Sequence, residues 1–466
     1  AVRKINSSVF EFDPLPDELL YSGDWYKEER KLATLSGYFV RSKSEVIIAN
    51  MLVSEEVPFE YEVPLYADDG TMYLPDFTVK FRGEMYYWEH VGRLDLPDYK
   101  AHWEKKEKWY EKNFPGKLLT TYEGKDLTKD KKIIDLLPSS PELVYPLSQH
   151  IGAPARPIVS VGDRVLRSQK IAEAAGFVSS NIYSSVSGTV KSIEKRLNVQ
   201  GRMTDSIVIT NDDAYEEASP IPVKPISEMT KEEVISVIQE AGIIGMGGAG
   251  FPTHVKLSPK NPGKIHYVIA NCAECEPFLT SDYRRMIEEP EKLVAGLKII
   301  LCLFEHAKGI LAVEDNKPDC IRILKDLCIN EPRISVKALK TKYPQGSERQ
   351  LIYATCGRAI NSTMLPADAG CIVNNVDTIV AIYHAVIEGR PLMERIVTIT
   401  GDAIKYPQNY RVYTGTCYDD LIEAAGGFKS PPAKIISGGP MMGFSLFDTH
   451  VPVTKSSSAI TAFLKD

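Results

Sequence analysis

The sequence has no uninterrupted apolar run approaching the ~20 residues that a membrane-spanning helix needs, so no transmembrane segment is expected. Residues 1–30 are too acidic and too broken for a secretory leader. No tryptophan follows Trp109 and no cysteine precedes Cys272. The four tryptophans (Trp25, Trp88, Trp103, Trp109) and the eight cysteines thus occupy separate stretches, which predicts two unrelated parts. An excess of positive charge is also missing. The chain carries 55 basic and 62 acidic side chains, 20 and 26 of them before residue 141. Neither part has the balance of a general nucleic-acid binder, although a local basic patch remains open. Fixed-period repeats and low-complexity tracts are absent. Eight cysteines without a leader point to a reducing compartment, hence a cytoplasmic protein. What is present is ordinary: 466 residues, 44% hydrophobic and 25% charged, describe a soluble globular chain of about two to four domains.

Apolar residues recur at helical spacing over 38–53, and three segments rich in β-formers follow: FEYEVPLY, MYLPDFTVKF and EMYYWEHVG. A charged helix over Asp98 to Asn113 and a strand over Lys117 to Thr121 complete an α/β unit. From Pro146 to about Asn211, short Val/Ile-rich runs between turn signals predict a small β sandwich or barrel. Beyond a Pro-containing linker, Thr230 with Glu233 three residues later reads as a capping box opening a helix to Ala241. Residues 242–400 alternate strand-like runs with amphipathic helical ones, as a layered α/β domain does. IVTITGDA, CYDDLIEAAGG and AKIISGGPM then suggest a small β-grasp-like module.

The stretch from Gly245 to Gly250 places four glycines in six positions, letting backbone amides approach a phosphate or a flat ring. A glycine turn packed on a neighbouring helix would read the same way. No Gly-Lys-Ser/Thr ends it, and a helix precedes it where a Rossmann fingerprint needs a strand. Lys256 follows, close enough to neutralise a phosphate. Then come Asn271-Cys272-Ala273-Glu274-Cys275-Glu276-Pro277, Tyr343 to Glu348, and Asn374-Asn375-Val376-Asp377-Thr378.

These motifs, with 146–154 (PLSQHIGAP), Leu365-Pro366-Ala367-Asp368 and the closing 438–443 (GGPMMG), resemble the C subunit of the Rnf ferredoxin:NAD oxidoreductase. They also resemble, more distantly, the NADH-oxidising flavoprotein subunit of respiratory complex I. The resemblance runs from roughly Pro146 to the C-terminus. It implies a Rossmann-like α/β domain holding noncovalent FMN, with NAD(H) stacking on the flavin and exchanging a hydride, so that the cofactor performs the chemistry and the protein supplies position and electrostatics. Gly245, Gly247, Gly248, Lys256, Asn271, Asn374 and Asn375 would hold FMN; Glu274, Glu276, Glu348 and Phe251 would lie nearest the nicotinamide and ribose groups. It further implies other Rnf-type membrane complex subunits and an iron–sulfur acceptor as partners, with a place on the cytoplasmic face of the inner membrane.

Members resembling this subunit usually continue into two cysteine clusters that bind [4Fe–4S] centres. No Cys-x2-Cys-x2-Cys-x3-Cys-Pro run occurs here, so no iron–sulfur ligands are expected in this chain. Cys272-x-x-Cys275 is half a zinc site with nothing to complete it, and the other six cysteines read as core residues. The β module resembles biotinyl and lipoyl carriers but has no lysine between Lys170 and Lys191 to carry a group, leaving a structural role.

In the N-terminal part, Glu45 on the helix, Asp76 in Leu-Pro-Asp-Phe and Glu89 in Tyr-Trp-Glu-His could converge, Asp76 and Glu89 as ligands for Mg²⁺. The pattern resembles the PD-(D/E)xK restriction-endonuclease-like superfamily. Val91 stands where its lysine is usual, leaving His90 or Lys80 as substitutes. Lys105, Lys106, Lys108 and Lys112 could face DNA or, alternating with glutamates, simply form a solvated face.

The expected organisation is therefore a multidomain α/β chain: a nuclease-like α/β domain (1–137), a barrel-sandwich hybrid (138–218), an FMN/NADH-binding α/β domain (227–395), a soluble-ligand-binding β-grasp-like domain (396–452) and a tail (453–466). The leading expectation is an FMN-dependent NADH-interacting electron-transfer subunit. The alternative is an Mg²⁺-dependent DNA nuclease with the C-terminal part as scaffold.

Overall fold

In the computed structural model, which describes residues 32–54, 57–92, 97–122, 127–361 and 363–464, contacts divide the chain into two units, 1–125 and 126–466. In the first unit, a short antiparallel pair, Leu32–Ala33 with Phe39–Val40, precedes α1 (Lys43–Ser54), which is followed by β1 (Phe59–Tyr61), β2 (Phe77–Phe81), β3 (Glu84–Val91), α2 (Pro97–Asn113) and β4 (Leu118–Tyr122). The four strands lie in that order, antiparallel except for the parallel pair β3–β4. A parallel neighbour needs a crossover, and α2 supplies it. Ile48, Ala49 and Leu52 pack on Phe59, Tyr61, Phe77 and Val79, the apolar stripe expected of α1. Trp103 and Tyr110, seven residues apart on α2, are both buried.

The seam falls before residue 126, not at the expected 137. Asn409 donates to the carbonyls of Thr128 (2.9 Å) and Lys131 (3.2 Å), and Ile134–Asp135 adds a strand to the C-terminal sheet. Hydrogen bonds to distant residues hold this segment in the second unit, and nothing local in its sequence announces them.

That unit opens with a four-stranded and a three-stranded sheet. β5 (Glu142–Pro146), β6 (Gly188–Leu197) and β7 (Met203–Asn211) supply much of a core of Leu143, Tyr145, Val165, Ile171, Ile182, Val190, Ile207 and Ile209. The turn where a carrier would present its group is docked: Ser180 Oγ donates to the Gly242 carbonyl (2.9 Å) and Asn181 Nδ2 to that of Glu240 (3.0 Å). α3 (Lys231–Glu240) follows, its N-terminus closed by the reciprocal Thr230–Glu233 capping box.

The central domain holds the parallel strands β8 (Tyr267–Cys272), β9 (Lys308–Glu314), β10 (Ile334–Leu339) and β11 (Cys371–Asn375), in the spatial order β10-β9-β8-β11. Val268 and Ala270 face the core shared with α3, α5 (Pro290–Cys302) and α8 (Val376–Glu388), while Ile269 and Val373 face α7 (Glu348–Cys356). Covering on both faces explains the nearly continuous apolar strands. Between β8 and α5 lies α4 (Ser281–Glu288), and α6 (Pro318–Leu327) links β9 to β10.

The C-terminal sheet is built on β12 (Glu394–Thr400) and β13 (Gln408–Tyr413), with α9 (Tyr418–Ala424) against it and β14 (Lys434–Ser437) and β15 (Ala459–Phe463) beyond. The supposed tail therefore supplies an inner strand: β15 pairs with β12 on one side and β14 on the other. Its run Ala459 to Ala462 is wholly buried, as an inner strand requires. Cys302 also departs from expectation: at the end of α5 it is exposed.

Candidate functional site

Because β9 and β10 lie on one side of β8 and β11 on the other, the strand order reverses between β8 and β11. In open parallel sheets, ligands settle outside the carboxyl ends of the strands at such a switch point. Here those ends are Asn271-Cys272 and Asn374-Asn375, with Asn271 directly paired to Asn375. Two of the sequence segments singled out for their asparagines thus become neighbours across a ladder.

The glycine loop lies over the same edge. Gly245 N donates to the Phe251 carbonyl (2.7 Å), closing the loop at its base, and Met246 N donates to Thr378 Oγ1 (2.9 Å) on α8. Gly247 adopts φ +77°, and a Cβ there would stand 2.9 Å from Asn375 Nδ2, so glycine is needed for both dihedral and space. Gly247, Gly248 and Ala249 are exposed, and among the described residues their amides donate to no acceptor. Open space lies where a Gly248 Cβ would project. Lys256 Nζ donates to the Val373 carbonyl (2.9 Å) and approaches Glu348 Oε1 (3.4 Å) at the start of α7. Glycines, ammonium and asparagines therefore meet at one strand end.

The asparagines differ in availability. Asn375 caps α8 by accepting from Asp377 N (2.9 Å) and donates to Asp282 Oδ2 (2.7 Å). Asn271 donates to the Gly346 carbonyl (2.8 Å), joining the 343–348 loop to the site. Asn374 is 2% exposed, yet neither its Oδ1 nor its Nδ2 has a partner. Stranding such an amide costs roughly 1–3 kcal/mol per group, so it marks a place where a polar ligand belongs. Gln345 Oε1 and Thr253 Oγ1, also buried, are stranded on the adjoining segments.

The acidic residues separate. Glu348 remains partly exposed beside Lys256. Glu276 accepts from Met441 N (3.2 Å) in the 438–443 loop; its Oε1 is unpartnered, and burial raises its pKa. Glu274 instead accepts from Asp282 N (2.9 Å) and Tyr283 N (3.1 Å), where the positive end of α4 welcomes a carboxylate. Burial, reinforced by Asp282, raises its pKa. Glu274 is thus committed to α4, and through Asp282 to Asn375. Phe251 is half-buried at the foot of the loop. Cys272 lies in the core under β8 while Cys275 Sγ accepts from Gly346 N (3.4 Å), so the Cys-x-x-Cys pair diverges.

Sequence reasoning missed the support beneath. Asp377 accepts from Arg285 Nε and Arg395 Nη1, both at 2.7 Å, with all three side chains buried. Thr378 and Asp377 stood in the flagged Asn-Asn-Val-Asp-Thr run; their partners, 92 and 18 residues from Asp377, carried no signal.

In the first unit, Asp76 and Glu89 are buried, as is Glu45. Burial, Glu89 and Glu45 push the Asp76 carboxyl well up. Glu89 meets Lys106 Nζ (2.6 Å) and accepts from Tyr110 Oη (2.7 Å). Lys106 of α2 thus brings an ammonium to this glutamate. Glu45 accepts from Arg41 N (3.0 Å) and from the Tyr61 hydroxyl. The three carboxylates do not form a group of ligand atoms all within 4.8 Å of one another.

A glycine loop, a lysine and a stranded amide at the switch point of a parallel sheet, between a β sandwich and a small mixed sheet, define a nucleotide- or flavin-binding α/β protein. Residues 238–384 match the family described as the Nuo51 FMN-binding domain, 114–214 the RnfC barrel sandwich hybrid domain, and 396–445 the SLBB domain. The chain is 45% identical over 336 residues to the C subunit of the proton-translocating ferredoxin:NAD(+) oxidoreductase complex of Clostridium ljungdahlii, covering 72% of this chain and 73% of that one. It is 44% identical over 328 residues to the C subunit of the Na(+)-translocating ferredoxin:NAD(+) oxidoreductase complex of Acetobacterium woodii, 70% and 74% of the two chains. Among solved structures, an NAD+-reducing [NiFe]-hydrogenase in the H2-reduced state aligns with TM-score 0.42 and 19% identity over 52% of this chain and 48% of that one. The chain belongs to the family of Rnf complex C subunits and carries its FMN-binding domain, which makes it an oxidoreductase-type flavoprotein of electron transport.

No helix among the described residues is long and apolar enough to cross a membrane.

Proposed function

We propose that the chain binds FMN at the β8–β11 switch point and exchanges electrons with NAD(H) there, as a peripheral subunit on the cytoplasmic face of an Rnf-type membrane complex with an iron–sulfur acceptor. The observation that carries this reading is the buried, unpartnered amide of Asn374, next in the chain to the Asn375 that meets the exposed glycine loop. When bound, FMN supplies the hydride chemistry that no side chain here provides. The residues present fit it. The amides of Gly247, Gly248 and Ala249 offer donors to an anionic phosphate, and Lys256, anchored on Val373, adds positive charge beside them. Asn374 offers a donor and an acceptor in a dry setting, where each is worth most. Glu348 and the free oxygen of Glu276 offer acceptors for ribose hydroxyls, and Phe251 an apolar surface. Gly245 closes the loop, while Asn271, Asn375 and Glu274 position the surrounding segments.

The test is the cofactor content of the full chain purified without added flavin, followed by FMN titration and addition of NADH. Flavin absorbance that NADH bleaches is expected. A colourless protein that takes up no FMN refutes the reading.

A second reading applies to the first unit, where Lys106, Glu89 and Asp76 share a buried cluster. With Mg²⁺ bound by Asp76 and Glu89, such a cluster would activate water against a DNA phosphodiester. Mg²⁺-dependent cleavage that disappears in Asp76→Ala supports it; no cleavage of single- or double-stranded DNA removes it.

A further inference from the structure

In the C-terminal module, Cys417, Asp419 and His450 come together outside the flavin site. Cys417 caps the N-terminus of α9, Asp419 lies in its first turn, and His450 stands on the segment leading into the bridge between Pro452 and Cys417. Cys417 Sγ lies 3.5 Å from His450 Nδ1 and 3.7 Å from Asp419 Oδ2, and His450 Nδ1 lies 3.4 Å from Asp419 Oδ2. Among the described residues this is the one group of three such ligand atoms within 4.8 Å of one another.

Two ordinary explanations leave part of the geometry unexplained. A thiol–imidazole–carboxylate relay needs sulfur at one ring nitrogen and the carboxylate at the other, but here both face Nδ1. A surface ion pair accounts for His450 and Asp419, 70% and 49% exposed. It does not account for the buried sulfur converging on the same nitrogen. Hydrogen bonding leaves the sulfur three long contacts, to His450 Nδ1, to Asp419 Oδ2 and to the Thr449 carbonyl at 3.8 Å, none of them a close pairing.

A metal ion at the common point would draw all three ligand atoms together. With Zn–S about 2.3 Å, Zn–N about 2.05 Å and Zn–O about 2.0 Å, tetrahedral angles place S and N about 3.5 Å apart, S and O about 3.5 Å, and N and O about 3.3 Å. The three observed separations fall within a few tenths of an ångström of these. We propose that Cys417, Asp419 and His450 form a tetrahedral Zn²⁺ site with water in the fourth position. Thiolate and imidazole exclude Mg²⁺ and Ca²⁺, which take hard oxygen ligands, and select a borderline transition metal.

The ligands are held before any ion arrives. Tyr418 N donates to the Val451 carbonyl (2.9 Å) and His450 N to Asp448 Oδ1 (2.8 Å). The ion would therefore clamp the 448–452 segment to the start of α9. Zn²⁺ binding releases the Cys417 thiol proton to solvent as the sulfur–metal bond forms.

The test uses the full chain, reduced and stripped with a chelator, titrated with Co²⁺ and read as difference spectra against the metal-free protein. One equivalent should give a thiolate-to-cobalt charge-transfer band with tetrahedral d–d absorption, both removed by Zn²⁺. Cys417→Ser should abolish the charge-transfer band, and His450→Ala, at an exposed position that leaves folding intact, should weaken Co²⁺ binding roughly tenfold or more. Zn²⁺ should raise the melting temperature of the parent and not of His450→Ala. Absence of the band, or its persistence in Cys417→Ser, overturns the proposal.

Discussion

Asn374→Leu separates a ligand-binding amide from a structural one by the sign of its effect. A buried asparagine that holds a fold together makes hydrogen bonds, and replacing it strands its partners at a cost of roughly 1–3 kcal/mol each. Asn374 makes none, though it is 2% exposed at the end of β11. Leucine is close in volume and removes two groups without partners. Flavin-free Asn374→Leu should therefore unfold in urea within about 1 kcal/mol of the parent or later, because water in the empty site returns only part of the amide's desolvation cost. FMN affinity should fall about 10- to 150-fold, the equivalent of one or two lost hydrogen bonds of roughly 1.4–3 kcal/mol in all. Urea unfolding of the flavin-free chains and fluorescence titration with FMN give the two numbers independently. A variant destabilised by more than about 2 kcal/mol that still binds FMN like the parent would show that Asn374 serves the fold and not the cofactor.

Substitutions in the glycine loop should divide by position. Gly247→Ala combines φ +77° with a 2.9 Å approach to Asn375 Nδ2 and should cost about 1–2 kcal/mol in thermal or urea unfolding. Gly248→Glu projects into open space, so it should leave folding within about 0.5 kcal/mol while opposing the FMN phosphate. Unchanged FMN uptake in Gly248→Glu would contradict the loop's role. Asp377→Ala should lower stability by about 3–5 kcal/mol, because it leaves Arg285 and Arg395 buried without their shared carboxylate; a loss under 1 kcal/mol in urea unfolding argues against that account. Lys455 is buried with Nζ donating to Gly242 O (2.6 Å) and Ser180 Oγ (3.2 Å), and burial lowers its pKa to about 7 from 10.5. Between those values the unfolded chain binds more protons than the folded one, so stability relative to Lys455→Met should rise with pH across that window, by up to about 1.4 kcal/mol per unit. A difference that stays flat from pH 7 to 10 contradicts the depressed pKa.

Much of the flavin domain was legible because its signals are local or compositional. Alternation of apolar runs announces a layered α/β domain, and Thr230 with Glu233 announces a helix start from four residues. The glycine loop and the two asparagine segments were visible as motifs, and family resemblance tied them to FMN. Their juxtaposition was not visible, since it depends on β11 pairing with β8 after two intervening strands. Nor could the order of residues say that Asn375 and Glu274 are occupied by helix N-termini while Asn374 stands unpaired.

In the first unit, the ion pair of Glu89 with Lys106 joins residues 17 positions apart, the lysine arriving on the helix that crosses from β3 to β4. The six other cysteines, all read as core, include Cys302 at the surface and Cys417 beside His450, 33 residues away. The segment after residue 452 read as a tail because it is short and follows the last motif, yet it completes a sheet.

By itself, then, the sequence determined the order of helical and strand-rich stretches through periodicity and capping within a few positions, while the resemblance of its motifs to Rnf C subunits supplied the FMN-binding reading of the C-terminal part. Only the tertiary structure decided where the two units part, which motif residues remain free to meet a ligand, and which distant side chains complete a site. Those outcomes depend on burial and on hydrogen bonds between residues tens to hundreds of positions apart, where the chain's order holds no record of the distance in space.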